Sequence, residues 1–191
     1  MAQVQSTMLP LQTKAFDFTL SDGKGVSHSL QDLRGEAGTL IIFMCNHCPF
    51  VRLYMSHFCE LEKLCNTHNI SIIAINPNDF NKYPDDSPAK MVEFQEEVGF
   101  GFTYLVDESQ EIAKKYQAMC TPDSYLFDAN LELFYRGQLD TARPSIEKEP
   151  TLSDIKNAIN ALASQAATPS EQVPSIGCNI KWKEGNAPSY F

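Results

Sequence analysis

Apolar positions along the chain change their spacing at intervals, from strand-like alternation to the three-and-four rhythm of a helix and back. Between Ala15 and Leu20, Phe16, Phe18 and Leu20 alternate with polar neighbours and run into Ser21-Asp22-Gly23. This predicts a strand entering a turn, with Val26 to Leu30 as the returning strand of an N-terminal β-hairpin. Thr39-Leu40-Ile41-Ile42-Phe43-Met44 is a continuous apolar run rich in strand formers, the pattern of a central strand buried on both faces. It leads directly into Cys45. After Pro49, Tyr54, Phe58, Leu61 and Cys65 follow a helical stripe that ends near His68-Asn69, and Ile70 to Ile75 predicts a second buried strand. Met91, Phe94 and Val98 predict another helix before Gly99, Phe102 to Val106 a short strand, and Glu108 to Ala118 a helix. Ser124 to Phe127 and Leu131 to Tyr135 read as a hairpin around Asp128-Ala129-Asn130, and Leu152, Ile155, Ile159 and Leu162 as a last helix. Strands alternating with helices in this order predict an α/β fold with a mixed central sheet and helices on both faces.

From Gln165 to Phe191 the composition shifts to Ala, Ser, Pro and Gly, yet Ile176, Cys178, Ile180 and Trp182 alternate. The expected organisation is one domain over 1–164 and a C-terminal extension over 165–191 that packs on it by one apolar face. The 191 residues carry 15 basic against 24 acidic side chains, a net charge of −9 that gives a nucleic-acid or anionic-lipid surface no electrostatic support. The longest apolar run is far short of the ~20 residues of a membrane span, and the first residues lack the features of a secretory signal, so a cytoplasmic location is expected.

Six cysteines, unevenly spaced, do not make a disulfide scaffold. Cys45 and Cys48 form a C-x-x-C motif at a predicted strand-to-helix junction. No second cysteine pair stands at zinc-site spacing, so redox chemistry is favoured over a metal, although zinc retention stays open. The N-terminus of a helix favours thiolate over thiol, which predicts Cys45 as the exposed, acidic nucleophile and Cys48 as the resolving thiol. His47, when protonated, would add positive charge beside the Cys45 sulfur, though a histidine at a helix start is also commonly just solvated. Cys65 falls on an apolar stripe and reads as core.

Around Met44-Cys45-Asn46-His47-Cys48-Pro49 and Cys120-Thr121-Pro122 the chain resembles the thioredoxin-like superfamily, in the redoxin and AhpC/TSA-like branch, over roughly Ala15 to Leu162. The resemblance implies a thioredoxin-like sheet with a docked C-terminal tail. It also implies a cis Thr121-Pro122 bond facing the cysteines, with Thr121 pairing to a substrate chain. There are departures: Met44 precedes the first cysteine where thioredoxin has Trp, and Thr39 stands where thioredoxin has a buried Asp. Ile42 and Gly38 replace the hydroxyl and proline of the peroxiredoxin motif.

The expected function is a thiol-disulfide oxidoreductase that exchanges electrons with protein disulfides or dithiols through Cys45 and Cys48, with no cofactor and no metal. Thr121 and Pro122 would contact substrate. A thiol peroxidase and a non-catalytic metal- or partner-binding module are the alternatives. Cys120 and Cys178 are possible auxiliary thiols: Cys120 by its place before Thr121-Pro122, Cys178 by the alternation of the tail.

Overall fold

The computed structural model describes residues 3–191. The strands are β1 (Gln3–Gln5), β2 (Thr19–Asp22), β3 (Ser27–Ser29), β4 (Gly38–Phe43), β5 (Ile70–Asn76), β6 (Thr103–Val106), β7 (Cys120–Thr121), β8 (Asp123–Asp128), β9 (Leu133–Gly137) and β10 (Ile176–Asn179). The helices are α1 (Leu30–Leu33), α2 (Pro49–Arg52), α3 (Phe58–Thr67), α4 (Pro88–Val98), α5 (Glu111–Lys115) and α6 (Ser153–Ala163).

β4 to β6 are parallel and form the centre of a seven-stranded sheet ordered β3-β2-β6-β5-β4-β8-β9, with antiparallel hairpins at both edges. All six residues of β4 are buried, because the strand has neighbours on both sides and helices on both faces. Its side chains alternate between two cores. Leu40 and Ile42 pack with Phe58, Leu61, Phe94 and Ile159 from α3, α4 and α6. Ile41 and Phe43 pack with Leu30, Ala113, Tyr116, Tyr125 and Phe127 on the opposite face. This is the mixed sheet flanked by helices that the pattern predicts, with the β2–β3 hairpin at its N-terminal edge.

Three elements differ from the pattern. The stripe after Pro49 is not one helix: α2 stops at Arg52, a 3-10 turn covers Met55–His57, and α3 begins at Phe58. The helix expected over 108–118 shrinks to α5, beyond which Gln117 takes a positive φ of 52°. Residues 15–18 precede β2 as irregular backbone, although Phe18 is buried.

A second, three-stranded sheet is ordered β1-β10-β7. β10 runs antiparallel to both neighbours, so the tail is threaded between the start of the chain and the strand that precedes Pro122. The expectation that Ile176, Cys178, Ile180 and Trp182 share one face is corrected here. Regular pairing ends at Asn179; Cys178 joins the core that contains Cys45 and Cys48, while Ile180 and Trp182 pack into the other. Beyond it, the Ile180 N–H donates to the Met119 carbonyl and the Lys181 N–H to Asn78 Oδ1.

Candidate active site

Phe43 is the last residue of β4, Met44 continues it with one more hydrogen bond from its N–H to the Ile75 carbonyl, and the chain then turns through Cys45, Asn46 and His47. The helix starts at Pro49, which occupies the first helical position, where its missing N–H costs nothing. Cys48 is therefore the N-cap of α2, and Cys45 lies three residues before it. All six cysteines are thiols.

The expected exposure of Cys45 is corrected here. Cys45 and Cys48 are 1% and 0% exposed, so neither is the surface thiol that the motif suggests. Burial pushes the Cys45 thiol well above the ordinary thiol range; its hydrogen bond to Cys48 and the nearby Asp86 carboxylate push the same way. Burial also opposes ionisation of Cys48. Hydrogen bonds from Cys178, Cys45, Thr121 and the Val51 N–H outweigh it and hold the Cys48 pKa far below the ordinary range. The Thr121 carbonyl, 3.1 Å from Cys48 Sγ, is the neighbour that favours the thiol form, since an S–H can donate to it. The two sulfurs are thus pushed in opposite directions, Cys48 toward the thiolate and Cys45 toward the thiol.

Thr121-Pro122 is a cis bond. Thr121 touches both sulfurs, with its Oγ1 3.4 Å from Cys45 Sγ and its carbonyl against Cys48. Its backbone pairs with Cys178 of β10. The neighbouring Cys48 raises the Cys178 pKa, and burial acts in the same direction. The structure therefore brings together Cys45, Cys48, Thr121, Pro122 and Cys178. It leaves out Cys120, a fully buried thiol whose weak hydrogen bond goes to the Pro122 carbonyl 3.8 Å away. Cys65 is core, with burial pushing its thiol up to about 12, and Cys59 points toward the Val98 carbonyl.

His47 stands 2.7 Å from the fully buried Asp86, and this carboxylate raises the imidazole pKa against the opposing effect of burial. Asp86 also accepts from the Asn46 N–H at 2.9 Å and from Asn78 Nδ2 at 2.7 Å. Asn78 in turn accepts from the Lys181 N–H, so one chain of hydrogen bonds joins the C-x-x-C loop to the tail. Tyr83 stacks parallel to His47 with centroids 6.0 Å apart, and Lys181 Nζ lies 6.0 Å from the same ring. A cleft of about 230 Å³ opens beside His47, lined by Asn46, Arg52, Asp85 and Phe94 among others.

Asp86, Asn78, Tyr83 and Lys181 have no signal in the sequence pattern. Asp86 sits in Pro84-Asp85-Asp86-Ser87-Pro88, which reads only as a chain break. The Cys48-Pro49 step does carry a signal for the helix start, since proline at the first helical position makes the preceding cysteine the N-cap residue. Cys45 Sγ, a His47 ring nitrogen and an Asp86 oxygen lie within 4.8 Å of one another, a set that could hold a metal ion. Among the described residues, no helix is long and apolar enough to cross a membrane.

Comparison with known proteins places this geometry in context. The family model described as AhpC/TSA family matches residues 11–136. The chain is 28% identical over 130 residues to the thiol-disulfide oxidoreductase ResA of Geobacillus kaustophilus, covering 68% of this chain and 70% of that protein. It is similar, at 44% identity and a TM-score of 0.93, to the crystal structure of an uncharacterized conserved protein from Geobacillus kaustophilus, over 96% of this chain and 97% of the other. The thioredoxin domain of a thiol-disulfide oxidoreductase from Bacteroides vulgatus superposes with a TM-score of 0.59 at 15% identity, over 80% of this chain and 99% of that one. At that identity it speaks for the fold alone, which is thioredoxin-like.

Proposed function

The chain belongs to the AhpC/TSA family, and from that premise we propose that it is a thiol-disulfide oxidoreductase working through a Cys45–Cys48 dithiol–disulfide couple on disulfides or dithiols of protein partners. The observation that carries this reading is the placement of two buried thiols, Cys45 and Cys48, against the same residue, Thr121, at the cis bond to Pro122. Its similarity to ResA supports the same chemistry.

The asymmetry orders the steps. Cys48 is the nucleophile: its thiolate attacks one sulfur of a partner disulfide, forming a mixed disulfide and releasing the other partner sulfur as thiolate. Until then, two adjacent thiolates beside Asp86 would repel one another, so Cys45 stays protonated. Once the Cys48 charge is lost in the mixed disulfide, that restraint lifts. Cys45 gives up its proton, attacks the Cys48 sulfur and closes the Cys45–Cys48 disulfide, and the second partner thiolate leaves. Two electrons move from the enzyme to the partner, and the reverse order reduces the enzyme.

Reduction of insulin disulfides by the full chain, with a dithiol as electron donor, tests the reading. Cys48→Ser should lose activity to background. The double variant Cys45→Ser/Cys178→Ser, which leaves Cys48 without a neighbouring thiol, should stop at a mixed disulfide visible by mass. Equal turnover by wild type and both variants would overturn it. A second reading, retention of a zinc-like cation, draws on the clustering of Cys45, His47 and Asp86. Thiol counting by mass separates the two, since a chelator would expose Cys45 to alkylation only under this second reading.

A further inference from the structure

The strand that covers the dithiol carries a cysteine of its own. Cys178 lies in register with Thr121 across the β10–β7 ladder, and Gly177 beside it packs so tightly that a Cβ there would fall 2.1 Å from the Thr121 carbonyl oxygen. Only glycine allows this approach, and the approach seats Cys178 beside Thr121, whose carbonyl is 3.1 Å from Cys48 Sγ, in the same buried cluster as Cys45 and Cys48. Cys48 thus stands between two thiols, Cys45 from its own loop and Cys178 from the tail.

A cysteine kept only for packing has no need of such a placement. Cys65 and Cys120 show that alternative, each buried away from the dithiol contacts. The tail is also held firmly on both sides of the cysteine. Ser175 exchanges hydrogen bonds with Ser6, and beyond it the Asp79 N–H donates to the Lys181 carbonyl while Lys181 Nζ turns back onto Asn179. With 0% of Cys48 and 4% of Cys178 exposed, β10 occupies the edge beside Thr121 that an incoming polypeptide strand would need.

We propose that Cys178 is the third thiol of the exchange, and that β10 is an internal substrate strand to which the disulfide passes. The inference rests on the dithiol reading above. In the step, the Cys178 thiol loses its proton and its sulfur attacks the Cys48 sulfur of a Cys45–Cys48 disulfide. The Cys48–Cys178 bond forms, the Cys45–Cys48 bond breaks, and Cys45 leaves with the electron pair and takes up a proton. The chain holds one disulfide before and after, so no further oxidant enters. The oxidised enzyme would then carry its tail covalently fastened to the cap of α2, with Cys45 free.

Peptide mapping of the intact chain tests this. Wild type, Cys45→Ser and Cys178→Ser are oxidised with diamide, quenched in acid, alkylated and digested with trypsin. A Cys45–Cys48 disulfide closes a loop inside peptide 35–52, whereas Cys48–Cys178 joins peptide 35–52 to peptide 157–181. The wild type should show both products, with the joined pair more than about tenfold above the Cys178→Ser control. Cys45→Ser should convert to the joined pair alone. If wild type forms only the internal loop, and Cys45→Ser leaves Cys48 and Cys178 alkylated, the inference is overturned and the dithiol reading stands. A joined pair linked through Cys45 instead of Cys48 would overturn it as well. If wild type forms neither product, the dithiol reading itself fails. The wild-type result does not depend on a variant folding.

Discussion

The loop around Asp86 and the edge at Thr121 flank the same two sulfurs and act on them in opposite ways. On the Asp86 side lie a buried carboxylate, an imidazole ion-paired to it and a cleft open to solvent. On the Thr121 side lie a strand backbone, a hydroxyl and the sealing strand β10. The first flank adds a carboxylate to the burial that raises the Cys45 pKa; the second touches both sulfurs and supplies the groups that lower the Cys48 pKa. The difference supports the proposed order, in which Cys48 attacks and Cys45 resolves. On Cys45 burial acts most and the carboxylate adds to it, whereas on Cys48 the surrounding groups outweigh burial.

Removing the charge on one flank should move the molecule most. Asp86→Asn keeps the shape but leaves its donors and His47 poorly matched in a buried site, and should cost about 3 kcal/mol of stability by urea unfolding. It should also lower the Cys45 pKa, because a negative neighbour is gone. An unchanged Cys45 titration in the folded variant would separate Asp86 from the asymmetry.

Unseating the other flank should have a smaller effect. Gly177→Val cannot be accommodated against the Thr121 carbonyl, so β10 must shift or detach, costing about 1–3 kcal/mol. Loss of the Cys178 donor should then raise the Cys48 pKa and increase its alkylation by a small reagent. Wild-type protection of Cys48 in that variant would mean that the tail does not shield the pair.

The smallest effect concerns pH. The folded pKa of His47 is raised by Asp86, so the pair contributes stability that is fully present below the unfolded value of about 6.5 and is lost as pH rises through the raised value. The difference in thermal midpoint between wild type and His47→Gln should therefore be larger at pH 5.5 than at pH 9. A difference that grows with pH would show that His47 is neutral in the fold.

Much of this architecture was readable from residues alone. The run from Thr39 to Met44 identifies the central strand because burial on both faces demands an unbroken apolar sequence. The C-x-x-C at its end marks the dithiol, and the resemblance around Thr121-Pro122 points to the cis bond that lies beside it. What escaped was set by tertiary placement. Asp86 reaches the loop from a segment forty residues away whose prolines and acids read as a turn. Alternation in the tail predicted docking, but regular pairing stops at Asn179, so Cys178 and Ile180 enter different cores. The burial of Cys45, where the motif suggests an exposed thiol, is likewise set by tertiary packing.

The central claim is that Cys48, and not Cys45, carries the thiolate of the resting pair. Both sulfurs are buried, so a probe that needs no access is required: the 13Cβ shifts of the two cysteines in the reduced, full-length chain, followed by NMR from pH 4 to pH 10. The account predicts that Cys48 titrates well below the ordinary thiol value of about 8.5, while Cys45 stays protonated beyond it. A Cys45 inflection below that of Cys48 would contradict it.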